Sequence, residues 1–199
     1  MAEKKTFKQL MDTDDNELTD DELKIKYAPV HYGPVWERGE DGHFILPEHS
    51  LGWQIAEWCT YYLGPLDDGD HFTFTLEQLR FVLWWYAVDD DGQFVYPSRG
   101  MLQRIKGWGK DPLLAVLCLV EAFGPSVFSG WGKDGEPIGR RRERARVQLA
   151  AVDFSQTENT FEMFTHLVTD RLEHDCDVKV MSRQEIGRAS CRERVCLYV

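Results

Sequence analysis

The chain has 199 residues, 43% of them hydrophobic and 13% aromatic, with 34 acidic and 23 basic side chains and a net charge of −11. That length and apolar content suit one packed domain with an appendage and argue against wholesale disorder. No run of 18 apolar residues marks a membrane span, and the polar start Met1-Ala2-Glu3-Lys4-Lys5 does not read as a secretory signal.

Residues 1–99 carry 20 acidic and 8 basic side chains, residues 100–199 carry 14 and 15. The first half repels polyanions, so any anion site is expected in the second. The same acidic residues also read as a plain solvated face. The five cysteines include no Cys-x-x-Cys pair, which excludes a zinc framework and suits reduced thiols.

Residues 1–28 read as an acidic segment with short helices, and Thr19 with Glu22 forms a capping-box pattern. Residues 29–50, rich in Pro and Gly, read as loop or extended chain. Leu51–Leu63 is expected to be a helix, ended by Gly64-Pro65. Thr75-Leu76-Glu77-Gln78 is a second capping box, opening an apolar helix predicted through Val88. Asp89-Asp90-Asp91-Gly92 stops it. These carboxylates lack the alternating spacing of a calcium loop and read as a turn.

Gln93–Tyr96 and Met101–Ile105 read as short strands. Lys106-Gly107-Trp108-Gly109-Lys110 follows, and then an almost wholly apolar helix, Asp111–Phe123, ended by Gly124-Pro125. Residues 126–145 are Gly-rich and then Arg-rich, which suggests a surface excursion. Val147–Val152 is of strand length and apolar apart from Gln148, and Ser155–Val168 looks helical. Strand, Gly-rich turn, helix, strand and helix in that order make a βαβ unit.

Gly107, Gly109 and Lys110 carry the chemistry of a Walker A loop. Glycines let backbone N–H groups face a phosphate, the Lys neutralises phosphate charge, and the helix start adds unpaired donors and a positive dipole end. Two positions depart from the common pattern. Arg104 stands for the first Gly, and Asp111 stands for the Ser or Thr that ligates Mg²⁺. The plain alternative is a Gly turn between strand and helix. Gly130-Trp131-Gly132-Lys133-Asp134 repeats the five letters of Gly107–Asp111 with no apolar helix after it, and reads as a turn. Arg140, Arg141, Arg142, Arg144 and Arg146 form the one basic cluster, read as either an exposed loop or a contact for DNA phosphates.

Phe74–Tyr86, then Phe94-Val95-Tyr96, then Arg104–Leu113 together resemble the large terminase subunits of tailed bacteriophages, especially those of actinobacterial phages. The resemblance runs from about residue 45 to about residue 175 and is most specific over 75–88 and 101–123. It implies an ATPase that packages double-stranded DNA into procapsids, with ATP and Mg²⁺ as cofactors. The implied partners are the small terminase subunit, the portal protein and further copies of the same chain on the procapsid. The implied location is the host cytoplasm, transiently at the portal, with no secretion.

Carried over by residue, the resemblance makes Gly107, Trp108, Gly109 and Lys110 the phosphate loop and Arg104 its basic leading position. Lys110 and Arg104 become the catalytic cations, Asp111 stands at the metal-ligand position, and Gln78 reads adenine. The residues alone leave Gln78 equally a capping partner of Thr75. Leu149–Phe154 begins like a Walker B strand, with Asp153, but Phe154 replaces the Glu, and no nuclease carboxylate cluster follows.

Ile186–Val195 matches one reading frame of a short-read sequencing adapter. The expected organisation is therefore an acidic extension over 1–50, a partial P-loop ATPase domain over 51–184 and a non-native read-through tail over 185–199. The expected fold class is α/β, an incomplete P-loop NTPase core of parallel strands with flanking helices. Two other readings remain at this stage: a different P-loop nucleotide-binding protein, and a non-enzymatic acidic interaction protein.

Overall fold

The computed structural model describes residues 9, 12–26, 33–66, 69–96, 100–150, 154–176, 178–182, 185–188 and 197–198. Asp153, and with it the Walker B comparison at that position, lies outside the described residues. So do residues 1–8, 189–196 and 199.

Both capping boxes form. Thr19 N donates to Glu22 Oε2 at 2.9 Å at the start of α1 (Asp20–Lys26). Helix α2 (Gly52–Tyr62) starts where Gly52 N donates to Ser50 Oγ at 2.9 Å, and that hydroxyl donates onward to Leu83 O at 2.6 Å. Its buried side is Ile55 and Cys59, and Leu63 beyond it is extended. At α3 (Leu76–Trp85), Gln78 N donates to Thr75 Oγ1 at 3.3 Å while Thr75 N donates to Gln78 Oε1 at 3.0 Å. Two of the orphan donors at the helix start are satisfied this way.

Helix α3 ends at Trp85, three residues before the predicted limit, because the next backbone groups have strand partners. Strand β1 (His49–Ser50) pairs antiparallel with β2 (Ala87–Val88). The acidic turn after β2 closes on itself. Asp89 Oδ1 accepts from Asp91 N and Gln93 N, and Gly92 has φ +73°. Of the strand expected at 93–96, only the bridge Phe94–Val88 forms. Residues 101–105 form no regular element and pair with no strand among the described residues; Met101 is 87% and Ile105 81% exposed. The strand expected at 101–105 is therefore not formed: its backbone has no neighbouring strand to bond, and Leu102 packs against the core.

Helix α4 (Lys110–Phe123) is the centre of the core. Leu113, Ala115, Val116, Cys118, Leu119, Val120, Ala122 and Phe123 are all buried. Helices α2 and α5 (Phe154–Leu167) pack on it. The hairpin of β3 (Val127–Trp131) and β4 (Pro137–Arg140) occupies the region read as an excursion, and its turn contains the second Gly-Lys-Asp copy. Gly132 N donates to Glu136 O at 2.8 Å across that turn. No helix starts there, in keeping with its reading as a turn.

The strand expected at 147–152 is described only as β5 (Val147–Gln148), which pairs in parallel with β8 (Leu197–Tyr198). After α5 come α6 (Asp170–Cys176), β6 (Val178–Ser182) and β7 (Glu185–Arg188), the last two antiparallel. Among the described residues the sheets are all two-stranded ribbons set around a helical core.

Cys59 and Cys118 are buried in that core. Burial pushes both thiols up, Cys118 from 9.0 to about 12, and it pushes up the Tyr86 phenol, helped by Glu121. The fold holds these acids protonated more tightly than the unfolded chain does. Their contribution is therefore complete below the unfolded thiol value and is lost as pH climbs from about 9 toward the folded values. The urea midpoint is expected to fall between pH 8 and pH 11. A thiol reagent at pH 8 should leave Cys59 and Cys118 unlabelled until urea is added. Rapid labelling of either in the native protein would show that the α2–α4 packing is wrong.

Candidate functional site

The irregular stretch 101–105 leads into a turn at Lys106–Trp108 and then directly into α4. Gly107 has φ +85° and Gly109 φ +91°, ψ 33°, conformations that side chains other than Gly, Asn and Asp rarely accept. Gly109 is the N-cap, so no side chain caps the helix. The amides of Lys110 and Asp111 have no intrahelical carbonyl to bond, and Pro112 brings no amide at all. A Cβ built on Gly107 would meet nothing within 4 Å, which leaves open space over the loop. The result is an exposed bend with donors and a positive dipole end.

The Lys110 ammonium folds back across this bend. Nζ donates to Arg104 O at 3.0 Å and to Ile105 O at 2.8 Å. It is therefore held at the mouth of the loop by carbonyls, with no carboxylate partner shown.

Gln78 is brought to the same place from α3. A Cβ on Gly109 would lie 3.1 Å from Gln78 Nε2. Its Oε1 accepts from Thr75 N in the capping box. The capping role of Gln78 is therefore formed: its acceptor is committed to the helix cap, and its donor lies beside the loop.

Arg104 is engaged beside the bend by other groups. Its Nε ion-pairs with Glu77 Oε1, and its Nη1 donates to Gln103 O at 2.7 Å. Its guanidinium lies 4.5 Å from the Trp36 ring centre and 5.6 Å from that of Trp108. Beside it opens a cavity of about 370 Å³ with Trp36, Phe81, Trp84, Trp85, Tyr96 and Trp108 in its walls. Sequence reasoning missed Trp36 and Glu77 as neighbours of the loop. The only trace was their residue types, since neither lies near Arg104 in the chain.

Asp111 is exposed and is the one acidic residue in the first turn of α4. Among the described residues, no group of three or more His, Cys, Asp or Glu is placed to hold a metal ion. A divalent cation here would take one protein oxygen and depend on phosphate oxygens for the rest. The basic cluster is divided. Arg142 donates to Glu121 Oε2 at 3.2 Å, and Tyr86 OH donates to Glu121 Oε1 at 2.8 Å. Arg141 stacks 5.0 Å from the Phe123 ring centre, while Arg140, Arg144 and Arg146 are exposed.

Among the described residues no helix is long and apolar enough to cross a membrane. No protein-family profile matches the chain, and no solved structure matches it. It is similar to the Gene 13 protein of Mycobacterium phage L5, with 40% identity over 175 residues, 77% of this chain and 29% of that protein. It is also similar to the Gene 13 protein of Mycobacterium phage D29, with 38% identity over 177 residues, 77% of this chain and 30% of that protein. These relatives are bacteriophage proteins, and the chain spans less than a third of their length.

Proposed function

We propose that the chain carries the nucleotide-binding part of a bacteriophage DNA-packaging ATPase, a terminase large subunit. The observation that supports this reading best is the Lys110 ammonium poised over a bend of two positive-φ glycines at the start of a buried helix. Gly107, Trp108, Gly109 and Lys110 would surround the phosphates of ATP. Backbone amides and the Lys110 charge would neutralise the polyanion, with Gln78 Nε2 as a further donor. Asp111 would give Mg²⁺ one oxygen. Bound Mg²⁺·ATP supplies the phosphoanhydride whose cleavage powers movement of double-stranded DNA. The small terminase subunit, the portal protein and further copies of the same chain would be the partners of the longer protein, at the procapsid in the host cytoplasm.

A titration with ATP tests the reading. Wild type is expected to bind weakly, and Lys110→Ala about 10- to 100-fold more weakly, the worth of one or two charge-assisted hydrogen bonds. Turnover by the 199-residue chain is expected to be slight, because the Asp-Glu pair that orients the attacking water has no match in its sequence. Robust hydrolysis would contradict the assignment of this chain as one part of the motor.

One observation favours a second reading. Lys110 already satisfies two loop carbonyls, so the bend is also a self-contained turn. If structure is its whole role, in a non-enzymatic acidic interaction protein, Lys110→Ala lowers the thermal midpoint while neither form binds ATP.

A further inference from the structure

The segment 33–46 lies on helix α3 through an alternating stack of rings and guanidinium groups. The Arg38 guanidinium carbon is 3.8 Å from the Phe44 ring centre, and Arg80 covers the same ring at 3.7 Å. Arg80 also lies 5.7 Å from Trp36, and Arg104 lies 4.5 Å from Trp36 and 5.6 Å from Trp108. The order Arg38, Phe44, Arg80, Trp36, Arg104, Trp108 is continuous from the N-terminal segment to the phosphate loop. Arg80 Nε is buried with no hydrogen-bond partner among the described residues, so ring faces surround much of that cation. Backbone bonds make the segment one unit: Gly39 N donates to His43 O and Ile45 N to Glu37 O, both at 2.9 Å. Trp84 Nε1 ties it to α3 by donating to Ile45 O at 3.2 Å.

We propose that this strap is a working part of the anion loop, with Trp36 and Glu77 as positioning residues for Arg104. The inference rests on the nucleotide-binding reading. Trp36 and Glu77 occupy the Arg104 charge with a ring face and a carboxylate beside Gly107–Lys110. A polyphosphate brings several negative charges against the single charge of Glu77, and bidentate phosphate contact suits a guanidinium better than a ring face does. Filling the loop therefore draws Arg104 out of the stack, removes one face from Trp36 and loosens the strap. Nucleotide occupancy becomes readable at residues 37–45, far from the loop in the chain.

Calorimetric titration of the whole chain with inorganic tripolyphosphate, which carries no base, tests this alongside hydrogen exchange. Glu77→Gln should tighten binding about 3- to 10-fold, since the competing carboxylate charge is gone while the side-chain shape is kept. In an Arg104→Ala background the same change should give less than about 2-fold, because only long-range repulsion is left to relieve. Trp36→Leu should shift affinity in the same direction, and Trp36→Phe, which keeps a ring face, should restore the wild-type value. Saturating tripolyphosphate should speed amide exchange at residues 37–45 in wild type. Circular dichroism checks each fold, and if Trp36→Leu unfolds, the Glu77 cycle decides alone. An equal gain from Glu77→Gln with and without Arg104, or unchanged exchange at 37–45, overturns the inference while Lys110-dependent binding keeps the nucleotide reading intact. Absence of any Lys110-dependent binding overturns both.

Discussion

Phe164→Ala is expected to cost about 3–5 kcal/mol of folding stability, the range for emptying a large buried aromatic site. Phe164 is fully buried on α5 and meets Phe161 edge-on, with ring centres 5.3 Å apart and planes at 82°. It belongs to the cluster that α5 shares with α4, and the two helices make the broadest helix–helix contact among the described elements. Domains of this kind hold only about 5–15 kcal/mol in total, so this one change takes a large share. Urea denaturation at pH 7.5 measures it. Phe164→Leu, which keeps most of the volume, should lose less than about 1.5 kcal/mol. A loss under about 1 kcal/mol for the alanine variant would mean that α5 does not seat on α4 as described.

Gly64→Val is expected to cost about 2–3 kcal/mol by overpacking, for a different physical reason. Gly64 N donates to Leu167 O at 2.9 Å, and a Cβ at Gly64 would come within 2.5 Å of His166 O. That atom is backbone and cannot swing aside as a side-chain tip can. The same seam holds Thr169 Oγ1 to Tyr62 O at 2.6 Å and Arg171 Nη1 to Tyr61 O at 3.0 Å. Forcing it open strains the ends of α2 and α5 together. Thermal denaturation of Gly64→Val measures the effect, and a midpoint equal to wild type would show that the two helix ends do not touch.

The helices were legible because their signals are local. Apolar spacing placed 52–62, 110–123 and 154–167 to within a residue or two, and the Thr75–Gln78 pattern produced both of its expected bonds. The bend was legible too, because Gly107 and Gly109 are residue types that accept positive φ. The seam at Gly64 was readable only as a helix stop, since its neighbour His166 comes a hundred residues later. The hairpin 127–140 is hidden in the sequence because its glycines interrupt the alternation, and its register carries a shift between Phe128 and Gly130. Strand identity at 101–105 depends on a hydrogen-bonding neighbour, which no property of those five residues can supply. The setting of Arg104 was the least visible. It depends on Trp36 and Glu77, and contacts of that range leave no spacing pattern.

Helix α4 has 14 residues, so it is about 20 Å long. Its first residue is Lys110, and near its far end Glu121 grips both Tyr86 and Arg142. Buried side chains clasp it along the way, and close-packed interiors transmit displacement with little give. The glycine bend and the arginine-bearing stretch 140–146 therefore adjoin opposite ends of one rod. The bend and that margin are thus two ends of a single stiff shaft about two nanometres apart, with nothing softer than packed side chains along the way.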